Sequence, residues 1–213
     1  EVHGPYLAPA AYARLFGSDP PGLAPDPRLR PHQRPVLYDR EIRFTDDELR
    51  RLFAALEADG RLAHTLVVLT ADHGEEFLEH GYIGHGATLP DEVLHVPLLF
   101  LGPGIPPGRR VAAPVGHLDL LPTLLELLGA PPLPGAAGRS FAALVRGSGD
   151  DAVEARRPLF AETWFRAGFG AAGPQPVDPP SYAVRVGSRK LIRPRDGDGF
   201  RDAYYDLARD PGE

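Results

Sequence analysis

The chain has 213 residues, of which 43% are hydrophobic and 24% charged, an ordinary composition for a globular protein with a core. Its formal net charge of -6 argues against a nucleic-acid or anionic-membrane partner, and no apolar run approaches the ~20 residues that span a bilayer. Cysteine and methionine are absent, so we expect a fragment or processed piece without a cysteine-derived nucleophile. The Ala, Gly, Pro and Arg content suggests a GC-rich bacterial genome.

The first third of the chain predicts a loop and one long helix. The Gly-Pro pair within residues 3–6 predicts a turn, and the proline-rich residues 17–35 predict a long surface loop. Apolar residues at near-helical spacing over 37–58 predict a sheet-covering helix that ends at Gly60. Thr45 and Glu48 fit a capping box, so the second part of this helix could begin at Thr45.

Two short apolar runs predict neighbouring strands of a mixed sheet. Residues 66–71 and 96–101 are each bounded by turns, and the first run is rich in β-branched residues. We therefore expect the first strand to be buried on both faces, as in a mostly parallel sheet. It ends at Asp72-His73-Gly74, where a carboxylate and an imidazole would project beyond the carboxyl end of the strand.

The remainder predicts helices followed by a small antiparallel sheet. Residues 117–128 and 140–146 predict helices that end at Gly129 and Gly147. Asp119 is predicted to be the N-cap of the first helix, and the alternative is that it is a ligand. A charged linker, a strand over 158–164, a loop over 168–180, a hairpin over 182–193 and a strand over 203–207 follow. The predicted division is residues 1–150 and 151–213.

Possible ligands concentrate between residues 65 and 97. The histidines of this window are His73, His80, His85 and His95, and acidic residues accompany them. Such a mixture of oxygen and nitrogen donors suits a divalent cation. The alternative is a polar loop with scattered histidines, which an isolated Asp-His-Gly tripeptide would not exclude.

The order of these motifs resembles the sulfatase family of the alkaline phosphatase-like superfamily. The matching pieces are residues 72–74 (DHG), 84–86 (GHG) and 96–97 (VP), with an H-x-P-Y-like element at residues 3–6 and a closing Y-D-L…D-P-x-E element at 205–213. The resemblance implies an α/β fold: an alkaline phosphatase-like mixed sheet flanked by helices, with a small C-terminal antiparallel β subdomain. It also implies a metal-dependent hydrolase of sulfuric esters.

The resemblance assigns roles to single residues. It makes Asp72 and His73 metal ligands, and calcium is the metal that many members of the family bind. His73 stands where many of those relatives have Asn, so manganese or zinc stays open. His85 stands where the family often has Lys, and would contact the sulfate and protonate the leaving oxygen. His3 would contact the sulfate oxygens as a catalytic and substrate-binding residue, and His80 and Glu76 are further candidates.

In the family, an Asp pair and a formylglycine made from Cys or Ser precede the H-x-P-Y element. We therefore expect this chain to hold half of a metal site and to be inactive alone. The implied substrate is a small-molecule or glycan sulfate ester, and export of such relatives favours a periplasmic or secreted location. Two alternatives remain open: a phosphodiesterase, phosphonate monoester hydrolase or phosphoethanolamine transferase of the same superfamily, and a non-catalytic domain that retains the fold.

Overall fold

The computed structural model describes residues 2–4, 6–16, 34–166, 175–194 and 201–213, and the chain forms two compact units. The first unit takes in residues 1–66 and 75–84, and the second takes in residues 67–74 and 85–213. The predicted division at residue 150 stays a prediction.

The first unit is built on one long helix. A short 3-10 turn, Ala10–Tyr12, precedes α1, Arg34–Ala58, and Gly60 follows the helix with a φ of 69°. The predicted helix is confirmed, but it begins earlier because Pro35 stands in its first turn, where a missing N–H costs no hydrogen bond. The predicted second start at Thr45 is wrong, since α1 is continuous there. Most of the predicted loop, residues 17–33, lies outside the described residues.

The first unit also contains a hairpin that the sequence did not predict. Strands β2, Glu76–Phe77, and β3, Ile83–Gly84, pair antiparallel. The buried Glu76 carboxylate accepts the N–H groups of His80 and Tyr82, which fixes the turn between the strands. The backbone donors of His80 and Tyr82 thus find an acceptor without a regular ladder.

In the second unit, β1, Val67–Thr70, pairs antiparallel with β4, Leu98–Leu101. The prediction that these segments are neighbouring strands is confirmed. Burial on both faces is wrong: residues 67–69 are only half-buried and Thr70 is exposed. Within the described residues this pair forms a two-stranded sheet. A short helix, α2, Asp91–Leu94, precedes β4.

Three further helices of the second unit surround a small apolar core. They are α3, Leu120–Leu127, preceded by a 3-10 turn His117–Asp119; α4, Ala142–Arg146; and α5, Asp151–Glu154. Buried Phe141, Leu144 and Val145 form this core, and the ring of Phe100 in β4 packs edge-on against Phe141 with centroids 5.8 Å apart. The helices at 117–128 and 140–146 are confirmed, while α5 lies in the predicted charged linker, where the Asp150 side chain caps it.

Asp119 does not cap α3 as predicted. Its buried carboxylate instead accepts the N–H groups of Gly116 and Arg139 and the guanidinium of Arg157. Asp119 therefore ties the turn before α3 to residues 20 and 38 positions further along the chain.

The chain closes with a four-stranded antiparallel sheet in sequential order. Its strands are β5, Leu159–Arg166; β6, Gln175–Val186; β7, Arg189–Arg193; and β8, Ala203–Asp206. The hairpin and the short last strand are confirmed. Of the loop predicted over 168–180, residues 168–174 lie outside the described residues, and residues 175–180 are strand because β6 pairs with β5 again beyond a register shift after Thr163.

The two faces of this sheet differ in chemistry. Because side chains alternate along a strand, the register places Thr163, Arg185 and Lys190 on one face. The opposite face carries exposed aromatic residues: Phe160, Trp164, Tyr182 and Tyr204. Lys190, by contrast, is only 1% exposed, so the first face is where the sheet meets the rest of its unit.

Candidate active site

The candidate site begins at the carboxyl end of β1. Gly74 donates its N–H to the carbonyl of Val93 in α2, at 2.8 Å. A Cβ at this position would lie 2.0 Å from the carbonyl oxygen of Glu92, so a residue larger than glycine does not fit without a backbone shift. The turn after Asp72 and His73 is therefore packed directly against α2.

Asp72 and His73 present an oxygen and a nitrogen donor side by side. The Asp72 side chain is 90% exposed, and its Oδ2 lies 3.7 Å from Nε2 of His73. Nδ1 of His73 lies 2.8 Å from the carbonyl oxygen of Gly74. In the tautomer that donates to this carbonyl, Nε2 is the nitrogen that can accept a proton or bind a cation.

Local dipoles and charges favour the ionised form of Asp72. Its own backbone N–H, and after it the charges of His73 and His85, hold the pKa of this carboxyl below its ordinary value. Asp72 is thus an anion at neutral pH, as a metal ligand must be.

His85 lies directly against His73. Their imidazole rings stack with centroids 3.8 Å apart and an interplanar angle of 22°. Twelve positions of sequence separate these residues, yet the fold places both rings and the Asp72 carboxylate at one place in the second unit. The roles assigned to these residues stay predictions.

The other predicted site residues lie in the first unit. His3 is exposed, with Nδ1 2.8 Å from the carbonyl oxygen of Gly4, and the backbone N–H of His80 donates to Glu76 at 3.2 Å. That His3 and His80 share a substrate with His85 stays a prediction.

The structure also places residues of the closing sheet next to the segment that carries His85, which the sequence did not predict. The Thr163 hydroxyl donates to the carbonyl of Gly86. Lys190 Nζ lies 2.7 Å from Asp91 Oδ1, and Arg185 Nη1 lies 2.9 Å from Oδ2 of the same carboxylate. Burial alone would raise the pKa of Asp91, but the hydrogen bond and charge of Lys190, with Arg185, bring it below its ordinary value. The one available signal was that Lys190 is the only lysine of the chain.

The residues present fit a divalent cation in part. One ion can contact both Asp72 Oδ2 and His73 Nε2, because metal–ligand bonds of roughly 2.0–2.6 Å are compatible with donors 3.7 Å apart. Among the residues that the structure describes, no group of three or more His, Cys, Asp or Glu side chains could hold a metal ion. The described residues therefore bring together fewer side-chain ligands than the four or more that a stable site uses.

Comparison with known proteins identifies the class. The chain matches the family model described as Sulfatase over residues 1–130. It is 32% identical to Arylsulfatase K of Gallus gallus over 169 residues, which cover 79% of this chain and 30% of the relative. A solved 2-O GAG sulfatase matches 85% of this chain and 37% of its own, with a TM-score of 0.68 and 25% identity. The solved phosphonate monoester hydrolase of Agrobacterium radiobacter matches 84% of this chain and 36% of its own, with a TM-score of 0.67 and 28% identity.

These likenesses define an α/β protein of the alkaline phosphatase-like fold, as predicted. The chain belongs to the sulfatase family, whose members are hydrolases of sulfate esters and are generally dependent on a divalent metal. It spans about 30% of the length of the curated relatives it matches. In the described ranges, no helix is long and apolar enough to cross a membrane.

Proposed function

We propose that this chain is part of a sulfuric ester hydrolase of the arylsulfatase type. The observation that carries the proposal is the stack of His73 on His85 beside the exposed Asp72 carboxylate, at the end of β1. Three groups able to bind a cation or an anion lie together there, where open α/β sheets usually place their ligands. We infer that residues 1–150 belong to the catalytic domain and residues 151–213 to its C-terminal subdomain.

In this proposal Asp72 and His73 hold part of the shell of a divalent cation. The family habit favours calcium, whereas the nitrogen of His73 beside one carboxylate oxygen also suits manganese or zinc. When bound, such an ion supplies positive charge to the non-bridging oxygens of the ester. The contribution of the chain itself is to present an ionised Asp72 and to fix the tautomer of His73 through Gly74.

His85 is proposed to act on the substrate rather than on the cation. A protonated imidazole can donate a hydrogen bond to a sulfate oxygen and a proton to the leaving oxygen. His3 is proposed as a second contact to the sulfate oxygens, with His80 as a further candidate. The expected nucleophile is a formylglycine outside these residues, which contain no cysteine.

The proposed substrate is a small-molecule or glycan sulfate ester. Support comes from the relatives named Arylsulfatase K at about 30% identity and from the structural likeness to a 2-O GAG sulfatase. The substrate of the whole protein belongs to this proposal because the chain covers less than a third of those relatives.

Phosphonate monoester hydrolysis is the second candidate. The Agrobacterium radiobacter enzyme is 28% identical to this chain, against 25% for the 2-O GAG sulfatase, at nearly equal TM-scores. His73 in place of the Asn of many calcium-dependent sulfatases points the same way.

The test compares two variants of the full-length protein on an aryl sulfate and an aryl phosphonate. We expect Asp72→Ala to abolish both activity and metal content, because it removes the anionic ligand. We expect His85→Ala to lower turnover by about 10²–10⁴-fold with metal retained, because it removes only a donor to the substrate. Asp59→Ala, which changes another exposed carboxylate at the end of α1, is the matched control and should change neither quantity.

Each alternative has a distinct result. Faster turnover of the aryl phosphonate would favour the second candidate, and absence of both turnover and metal in the unmutated full-length protein would favour a non-catalytic domain. Loss of metal in His85→Ala would make His85 a ligand and reverse the proposed roles. Full activity and metal in Asp72→Ala would exclude the proposed site.

A further inference from the structure

The segment from His85 to Asp91 is held at both ends by one face of the closing sheet. Near its start, the carbonyl of Gly86 accepts the hydroxyl of Thr163 in β5. At its end, the Asp91 carboxylate binds Lys190 of β7 and Arg185 of β6. The anchoring residues of the sheet are thus far from the segment in sequence, at separations of 77 to 99 residues.

The anchor at Asp91 is largely shielded from solvent. Lys190 is 1% exposed and Asp91 19%, and the lysine ammonium also binds the carboxylate of Glu213. Removing one partner of a buried charged group leaves the other uncompensated, so this end of the segment is fixed in place. The same helix α2 that Asp91 begins is the one against which Gly74 packs.

The backbone beside His85 has little conformational preference of its own. Gly84 and Gly86 flank it with φ values of 109° and 87°, in a region that favours glycine. A segment with glycine on both sides of a functional residue gains flexibility, which costs entropy when the residue must hold one position. An external hydrogen bond to the Gly86 carbonyl fixes the peptide plane that follows Gly86 and so restricts this freedom.

We propose that Thr163 is a positioning residue for His85, acting through the Gly86 carbonyl, a role that rests on the proposed function of His85. Thr163 is buried, on the face of β5 that also directs Lys190 and Arg185 of the neighbouring strands toward Asp91. Its hydroxyl keeps the imidazole of His85 stacked on His73. The closing sheet therefore contributes to the site through the position of one loop, without placing Thr163 against the substrate.

The test uses two substitutions at Thr163 in the full-length protein. Thr163→Val keeps the shape but removes the donor, and Thr163→Ser keeps the hydroxyl. A displacement of about 1 Å at a catalytic group can cost about 10²-fold in rate, so we expect Thr163→Val to lower kcat on an aryl sulfate by about 10- to 100-fold. KM and metal content should change little, and Thr163→Ser should recover most of kcat.

A second measurement does not depend on activity. Hydrogen exchange of the amides at residues 85–89 should be faster in Thr163→Val than in the unmutated protein and in Thr163→Ser. The matched control is Thr123→Val, which removes another buried threonine hydroxyl that donates to the carbonyl of Asp119 at 2.6 Å. That variant should unfold at a lower denaturant concentration while kcat and the amide exchange of residues 85–89 stay unchanged.

The outcomes separate this inference from the proposed function. If the unmutated protein hydrolyses the aryl sulfate but Thr163→Val retains both its kcat and its exchange rates at residues 85–89, Thr163 does not position His85. An equal fall of kcat in Thr163→Val and Thr123→Val would also overturn the proposal, because it would show that Thr163 contributes only to the stability of the fold. If the unmutated protein hydrolyses neither ester, the proposed function fails, and the exchange measurement alone decides whether Thr163 restrains the loop.

Discussion

The second unit contains two aspartates that adjoin the same short helix, and they differ in exposure and in partners. Asp72 precedes the turn that packs on α2, and its side chain is 90% exposed beside His73. Asp91 begins α2, is 19% exposed and binds two cationic side chains. Both carboxyls have lowered pKa values: that of Asp72 because of its own backbone N–H, that of Asp91 because Lys190 outweighs the effect of burial.

The contrast shows which carboxylate is available for chemistry. An exposed pair such as Asp72 with His73 contributes little to stability, since its charges interact in a high dielectric. The Asp91 carboxylate is 19% exposed and both of its oxygens already accept from Lys190 and Arg185, so it is less available to an ion or substrate than Asp72. Hence we assign Asp72 to the site and Asp91 to its support, and the predictions below test that division.

The largest expected effect is on stability, through the ion pairs of Lys190 with Asp91 and Glu213. Lys190→Met should lower the free energy of unfolding by about 3–5 kcal/mol, because it leaves the carboxylates of Asp91 and Glu213 buried without their shared cation. Chemical denaturation of the full-length protein measures this. The control is Arg193→Met, in an ion pair with Asp202 whose side chains are 65% and 48% exposed, where we expect at most about 1 kcal/mol. Equal losses of stability in the two variants would mean that the buried ion pairs of Lys190 contribute no more than the exposed pair of Arg193 with Asp202.

The second-largest expected effect is on the packing of Gly74 against α2. Gly74→Ala should destabilise the protein by about 1–3 kcal/mol, because the added methyl group overlaps the Glu92 carbonyl and must displace α2 or the turn. It should also disturb metal binding, since the turn carries Asp72 and His73. Gly212→Ala is the control, because an added Cβ there meets nothing within 4 Å. A stable Gly74→Ala variant with normal metal content would show that the packing on α2 does not position the site.

Local patterns predicted much of this structure and of the candidate site. The apolar runs at 66–71 and 96–101, the hairpin around Gly187 and the helix before Gly60 follow from periodicity and turn residues that act over a few positions. The sulfatase likeness singled out Asp72, His73 and His85; the fold brings their rings and carboxylate together, and their roles stay predictions.

What the sequence could not supply depends on long-range contacts. Nothing local to Thr163 or Lys190 indicates partners 77 and 99 residues away. The capping-box pattern at Thr45 also fails for a physical reason: the same residue types are compatible with a helix interior, so a local motif cannot decide whether a helix begins or continues there. Burial of β1 was overestimated because an apolar run does not show which elements pack on each face of a strand, and those elements come from distant parts of the sequence.

The smallest expected effect is on the acid side of the stability curve. Asp91 faces Lys190, Arg185 and His95, and its pKa is lower in the folded than in the unfolded protein, so its folded form binds fewer protons. Its contribution is therefore complete above the unfolded pKa of about 3.9 and is lost as the pH falls below that value through the folded pKa. One such group adds at most about 1.4 kcal/mol per pH unit to the slope of stability against pH.

Asp91→Asn isolates this contribution, because an amide does not titrate but keeps the shape of the carboxyl. We expect the variant to be less stable at neutral pH and to lose stability less steeply than the unmutated protein as the pH falls below about 4. The matched control is Asp72→Asn: its carboxyl also has a lowered pKa, but it is exposed, so solvent screening should leave the acid slope nearly unchanged. Denaturant midpoints measured at several pH values give both slopes. If Asp72→Asn flattened the acid slope as much as Asp91→Asn, the exposed carboxylate would also support the fold, and the division of roles between the two aspartates would be wrong.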